Sequence, residues 1–278
     1  MSTVSENIVV PGKPRMKPRV RLKGIALPNE HGSWGILFEP LVAAMAVAFS
    51  PAAIAIALLF VGAFLLRQPL CVWLADRSAG RDLPQTDSAR RFTLIFSVVF
   101  VAGLLGTFVL VAPASLIPLV AVAPLGLIQI YYDMRRKSRN LLPELTGAIA
   151  LSSSAAVIAL ADDWTVPAAM ALWGLFVLRL IPSILYVRSR LRLEKGKDPS
   201  VAAAVAAHLV AVVLVALLVS YGLSPVITGV MFVVLLGRAA LGLSPYRKKR
   251  KAMQIGVLEV IFGVLTVLSV IIGHYLRA

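Results

Sequence analysis

Residues 166–197 read VPAAMALWGLFVLRLIPSILYVRSRLRLEKGK, an apolar run that contains one arginine and ends in a cluster of basic residues. A helix needs about 20 apolar residues to cross the hydrocarbon core of a bilayer. The apolar part, residues 165–186, meets that length and predicts a transmembrane helix. The basic residues that follow it predict a cytoplasmic end, because translocation of Lys and Arg is disfavoured.

Eight further apolar runs of this kind predict an all-α membrane protein with nine transmembrane helices. The chain is 59% apolar with a mean hydropathy of +0.87, whereas ordinary globular domains are about half apolar. The runs are continuously apolar rather than alternating, which argues against an outer-membrane β-barrel. The predicted helices occupy residues 33–50, 51–70, 92–112, 114–132, 142–161, 165–186, 201–220, 223–242 and 254–275.

The basic residues fall on one side of the predicted bundle. Of the 28 Lys and Arg, all but Arg277 lie in the N-terminal segment or in the polar stretches that end helices 2, 4, 6 and 8. This asymmetry predicts a multi-pass protein of a bacterial inner (plasma) membrane, with the N-terminus cytoplasmic and the C-terminus outside. The formal net charge of +15 therefore indicates contact with anionic lipid head groups, and no nucleic-acid partner is predicted.

The chain divides into a short tail and one membrane domain. Residues 1–27 are basic and contain proline, which predicts a disordered cytoplasmic tail, and residues 28–278 form the nine-helix transmembrane domain. Two polar stretches, 68–91 and 188–200, are predicted cytoplasmic loops. Their spacing of four helices indicates an internal duplication, as in many transporters.

Two arginines, Arg67 and Arg179, lie inside apolar runs at corresponding places in the two halves. A charged group in hydrocarbon costs at least about 2.5–3.5 kcal/mol, so such a residue usually faces a polar cavity or an acidic partner. The alternative is that either guanidinium reaches the head groups on its long stem.

Polar residues near the cytoplasmic ends of the helices are candidate binding and catalytic groups. Arg188 and Arg192 are four residues apart and share a helix face. A diphosphate between them would offset their repulsion, because Arg presents a planar fork of donors to phosphate oxygens; the alternative is an anchor to lipid head groups. Glu30 and His31, at the start of the first helix, are an acid and a titratable base.

Three motifs resemble a known family. The stretches PNEHGSWG at 28–35, LRQPL at 66–70 and NLLPELTG at 140–147 look like those of the YwiC-like integral membrane proteins. The chain also resembles the UbiA superfamily of membrane prenyltransferases in its nine helices, its cytoplasmic N-terminus and its polar loops after helices 2, 4 and 6. Asp76 and Arg77, with Arg81 and Pro84, are similar to the end of the first Asp-rich motif of that superfamily.

The UbiA resemblance implies a UbiA-like helical bundle that binds an isoprenoid diphosphate. Members of the superfamily use two Asp-rich motifs to hold Mg²⁺. Here Val72 and Pro69 occupy two acidic positions of the first motif, and Arg192 and Arg188 occupy two of the second. Mg²⁺ requires an octahedral shell of oxygen ligands, so no metal site and no cofactor are predicted, with Mg²⁺ bound at most weakly through Asp76.

The sequence therefore predicts an Arg-rich, cytoplasm-facing cavity for an isoprenoid or another lipid with an anionic head group. A divergent prenyltransferase-like enzyme is one form of this hypothesis, in which Asp76, Glu30 and His31 are the catalytic groups. A transporter of a small anion, with Glu39 or Glu259 as proton carrier, and a non-catalytic assembly factor are the alternatives; neither the substrate nor the oligomeric state is indicated. The predicted substrate-binding residues are Arg67, Arg77, Arg81, Tyr132, Arg136, Lys137, Arg139, Arg179, Tyr186, Arg188 and Arg192.

Overall fold

The structure is a computed structural model that describes residues 24–25, 27, 31–80, 83–135 and 137–276. Within these ranges all regular structure is helical, which confirms the predicted all-α class. A short 3₁₀ turn, Pro113–Leu116, precedes the fourth helix. The helices are α1 His31–Val47, α2 Pro51–Ser78, α3 Pro84–Leu110, α4 Ile117–Met134, α5 Leu141–Ser152, α6 Ser154–Ala161, α7 Val166–Glu194, α8 Val201–Ser220, α9 Val226–Leu243 and α10 Ala252–Leu276.

Eight helical segments in the described part of the chain are long and apolar enough to cross a membrane, and they correspond to predicted helices 2–9. α5 and α6 together form one of these segments, Leu141–Ala161, which bends at Ser153. The first predicted span is shorter, because its apolar part is Gly32–Val47. At about 1.5 Å of rise per residue, this helix is shorter than the roughly 30 Å of a hydrocarbon core.

The two predicted polar loops are wrong in extent, because most of both stretches is helical. α2 continues to Ser78 and α3 begins at Pro84, while α7 continues to Glu194. The chain reverses just beyond these ends at Gly80 (φ 61°) and Gly196 (φ 66°), in the left-handed conformation that glycine adopts without strain after a helix. Most of the predicted loop side chains therefore have fixed places on long helix ends.

α1 and α7 lie at the centre of the bundle. α7 packs against α5, α6, α8, α9 and α10, and α1 packs against α2, α5, α6, α7 and α10. α3, α4 and α8 lie at the periphery and expose apolar side chains along most of their length. Because the two central helices are buried on most sides, polar groups on them face the interior of the bundle.

The basic connectors after α4, α7 and α9 lie together at one end of the bundle, the basic end. Arg188 Nη1 donates to the Arg139 carbonyl at 2.9 Å, and Arg190 Nη1 donates to the Gly242 carbonyl at 2.6 Å. These contacts join the last turns of α7 to the connector after α4 and to the end of α9. At the opposite end, the Tyr275 hydroxyl donates to the Ala46 carbonyl at 2.7 Å. The clustering agrees with the predicted charge asymmetry, and the assignment of the basic end to the cytoplasm stays a prediction.

Candidate functional site

Arg179 of α7 is buried between two carboxylates from other helices. Its side chain is 1% exposed, with Nε 3.6 Å from Glu39 Oε2 and Nη1 3.7 Å from Glu259 Oε2. It also donates to the Ser183 hydroxyl and, at 3.3 Å, to the Glu259 carbonyl. The guanidinium therefore has acidic partners inside the bundle, as the first of the two alternatives for this residue predicts.

The inner cavity is a space of about 230 Å³ that runs between α1, α5, α7 and α10 from this cluster toward the basic end. Arg188 lies at its outer part, where Nη1 donates to Glu144 Oε2 at 2.8 Å. Among the described residues that line the cavity, three are acidic and two are basic: Glu39, Glu144, Glu259, Arg179 and Arg188. These charges sum to minus one, so the described lining has no positive surplus for an anion.

The α2–α4 cavity, of about 420 Å³, brings together predicted residues from the first half of the chain. Arg67 lies in it with Nε 3.4 Å from Asp133 Oδ2, and Arg139 lines it as well. Asp76 lies on its wall, 2% exposed, and accepts hydrogen bonds from the Thr86 hydroxyl at 2.9 Å and the Gln85 amide at 3.2 Å. In this cavity the described basic and acidic residues are equal in number, two of each.

The structure thus distributes the predicted site residues over separate places. Arg192 and Lys137 are exposed, Tyr132 is half-buried, and Arg77 is exposed beside the ring of Trp73. Of the remaining predicted residues, Glu30, Arg81, Arg136 and the side chain of His31 lie outside the described part of the structure.

A third space, the α9–α10 cavity, has a surplus of positive charge in its described lining. The sequence predicts such a cavity, but around other residues. It measures about 460 Å³ and lies at the basic end between α7, α9 and α10. Tyr186 is the one predicted site residue on its wall. The described charged residues that line it are Arg190, Arg238, Arg247, Lys248 and Arg250, against a single carboxylate, Glu259.

Arg238 is a buried cation of the α9–α10 cavity. Its side chain is 9% exposed, and Nη1 donates to Glu259 Oε1. The guanidinium carbon lies 4.1 Å from the ring centre of Tyr186 and 5.0 Å from that of Phe262, which are favourable cation–π distances. Nε and Nη2 are buried and have no hydrogen-bond acceptor among the described residues.

Arg190 fixes the connector that supplies the other cations. It pairs with Glu194 at 2.8 Å and donates to the carbonyls of Gly242 and Lys248. These two hydrogen bonds fix the chain at the end of α9 and in the connector that follows it. Arg247, Lys248 and Arg250 of this connector line the cavity. From the sequence, Arg238 and this connector count only toward the basic residues of the cytoplasmic side. Arg238 nevertheless lies inside an apolar run, just as Arg67 and Arg179 do.

No group of three or more His, Cys, Asp or Glu side chains in the described ranges is placed to hold a metal ion. A model of the family described as YwiC-like protein matches residues 27–159, which confirms the YwiC-like resemblance over just under half of the chain. The matched region holds α1–α5 and most of α6, with Glu39, Arg67, Asp76 and Glu144, and ends before α7. No curated protein and no solved structure matches the chain.

Proposed function

We propose that this YwiC-like, multi-pass membrane protein binds a lipid with a phosphate or diphosphate head group in the α9–α10 cavity at its basic end. The observation that carries the proposal is the charge of this cavity, in which five cationic side chains face one carboxylate. Arg and Lys bind phosphate through short charge-assisted hydrogen bonds, and Arg does so with two parallel donors. The buried nitrogens Nε and Nη2 of Arg238, which have no acceptor among the described residues, supply further donors.

The position of the cavity favours a lipid over a soluble anion. It lies between α9 and α10, both of which expose apolar side chains on the outside of the bundle; Leu241 on its wall is 72% exposed. A phosphate group in the cavity would leave the attached hydrocarbon chain against these apolar faces. A prenyl diphosphate is one ligand of this kind, and it is the ligand that the UbiA resemblance implies.

The other two cavities suit an anion less well. Arg67 and Arg179, the pair that an anion transporter would use, line separate spaces and each lies close to a carboxylate. An anion in either space would have to displace that carboxylate. The charges therefore favour lipid binding in the α9–α10 cavity over small-anion transport through the sites of Arg67 and Arg179.

The proposal is tested by thermal unfolding of the detergent-purified protein with geranylgeranyl diphosphate, with inorganic diphosphate, and with EDTA or Mg²⁺. A ligand that binds only the folded state raises the melting temperature. We expect a rise with the lipid that persists in EDTA, is larger than with inorganic diphosphate, and is lost in Lys248→Ala/Arg250→Ala. The matched control Lys195→Ala/Lys197→Ala removes two exposed basic residues of the preceding connector and should keep the rise.

An absent rise, or an equal loss in both double variants, would overturn the proposal. A rise with inorganic diphosphate equal to that with the lipid would assign the cavity to a soluble anion instead. Release of inorganic diphosphate from a bound prenyl diphosphate in the presence of an acceptor would identify a prenyltransferase-like enzyme, and binding without release would identify a non-catalytic lipid-binding protein.

A further inference from the structure

Glu259 of α10 forms part of the wall between the α9–α10 cavity and the inner cavity, since it lines both. Its Oε1 accepts a hydrogen bond from Arg238, and its Oε2 lies 3.7 Å from Arg179 Nη1. One carboxylate therefore pairs with a cation of each cavity. A ligand in one cavity that displaces Glu259 from its cation there therefore changes the charge balance in the other cavity.

Glu259 belongs to a buried cluster of four charges that sum to zero. Arg179 and Arg238 are the cations, Glu39 and Glu259 the anions, and every one of these side chains is largely shielded from solvent. An unpaired charge in such a place is strongly unfavourable, because no solvent compensates for the missing partner. The cluster must therefore restore its neutrality when one of its pairs is broken.

A phosphate group in the α9–α10 cavity would break one of these pairs. Its oxygens compete with Glu259 for the donors of Arg238, and its negative charge repels the carboxylate. Glu259 and Glu39 would then share Arg179 alone. Two carboxylates that share one site favour the protonation of one of them, and the proton is able to arrive from solvent through the inner cavity, whose outer part holds the partly exposed pair of Arg188 and Glu144.

We infer that binding of a phosphate head group in the α9–α10 cavity is coupled to the uptake of a proton by the Glu39–Glu259 pair. The inference rests on the proposed function and adds a proton as a second ligand. The proton comes from solvent and binds a carboxylate oxygen. Arg179 is then balanced by the one carboxylate that stays charged, and Arg238 by the bound phosphate. The charged groups that face the pair are Arg179 from α7 and Arg238 from α9. The Tyr186 ring packs on Arg238, and His208 packs on Tyr186. The other charged groups that line the two cavities are Arg190, Arg247, Lys248, Arg250, Glu144 and Arg188.

The test is isothermal titration calorimetry of the full chain in nanodiscs with geranylgeranyl diphosphate, at one pH, in two buffers of different ionisation enthalpy. The difference between the two heats gives the number of protons taken up, which we expect to be about one per bound ligand above the ligand's own contribution. In Glu39→Gln one carboxylate of the pair becomes neutral, so the lipid should still bind and the extra proton should disappear.

The matched control is Asp198→Asn, which neutralises an exposed carboxylate outside the three cavities and should keep the full uptake. Because the ligand titrates identically in all variants, its contribution cancels in the comparison. Binding with equal uptake in the unaltered protein and in Glu39→Gln would overturn the inference and leave the proposed function intact. Absence of binding in the unaltered protein would overturn both.

A second measurement applies where Glu39→Gln does not fold. The alkalinisation of a weakly buffered solution on addition of geranylgeranyl diphosphate is followed with a pH indicator for the unaltered protein and for Lys248→Ala/Arg250→Ala. Uptake by the unaltered protein alone supports the coupling. No uptake under conditions in which the ligand raises the melting temperature contradicts it.

Discussion

A β-carbon at position 263 would lie 2.0 Å from Oε1 of Glu39, so Gly263 of α10 leaves the space that this carboxylate of α1 occupies. The two helices approach closely here, and the carboxylate lies between them beside Arg179. A glycine in a helix is ordinarily a weak position. At position 263, the absence of a side chain leaves room for the Glu39 carboxylate beside Arg179.

Gly263→Ala should therefore destabilise the protein by about 1–3 kcal/mol, because the added methyl group displaces the Glu39 carboxylate. The measurement is the thermal unfolding midpoint in detergent. Gly256→Ala in the same helix is the control, since a β-carbon there meets nothing within 4 Å. Equal midpoints for the two variants would show that the contact between Gly263 and Glu39 is unimportant for stability.

The hairpin of α2 and α3 depends on a second glycine. A β-carbon at Gly103 would lie 2.2 Å from the backbone nitrogen of Leu59, and a backbone atom is unable to move aside as a flexible side chain does. Small residues let membrane helices pack this closely. We expect Gly103→Ala to lower the unfolding midpoint markedly. Gly126→Ala in α4, where a β-carbon has open space, should not lower it, because Ala favours a helix more than Gly does.

Sequence reasoning identified four charged residues of the interior but not how they pair. Arg67, Arg179, Glu39 and Glu259 are recognisable because a charge interrupts an apolar run. That Arg179 lies between Glu39 and Glu259 depends on how α1, α7 and α10 pack, and no periodicity of a single helix encodes that arrangement.

The positively charged cavity was missed for a related reason. A run of Lys and Arg after an apolar segment is typical of a cytoplasmic anchor, and the connector at 244–251 fits that pattern. Its place in a cavity is set by Arg190, which lies on another helix and binds the carbonyls of Gly242 and Lys248. Arg238, inside an apolar run, was the available signal.

Two arginines of α7 should differ greatly in their importance for stability. Arg179→Ala leaves Glu39 and Glu259 buried beside one fewer cation, and removal of one partner of a buried pair costs about 3–5 kcal/mol. Arg188 is 38% exposed in its pair with Glu144, and an exposed pair contributes about 0–1 kcal/mol. The measurement is the yield and unfolding midpoint of each variant, and a larger loss for Arg188→Ala would contradict this assignment.

Asp76 should act in the structure as a hydrogen-bond acceptor for the start of α3. Thr86 and Gln85 both donate to its Oδ2, and loss of a buried acceptor costs about 1–3 kcal/mol. Asp76→Asn retains an oxygen for these donors and should unfold near the midpoint of the unaltered protein, whereas Asp76→Ala should unfold earlier. If Asp76 is instead a ligand for a weakly bound Mg²⁺, any stabilisation by Mg²⁺ should disappear in Asp76→Asn as well.

The side of the membrane on which the basic end lies is testable because the chain has a single cysteine, Cys71. In a Cys71→Ser background, Tyr221→Cys marks an exposed site at the opposite end and Lys249→Cys an exposed site at the basic end. Since basic segments remain cytoplasmic, a membrane-impermeant maleimide should label Tyr221→Cys in intact spheroplasts and Lys249→Cys only after lysis. The reverse result would place the α9–α10 cavity against the outer leaflet, and its lipid ligand would then have to come from that leaflet.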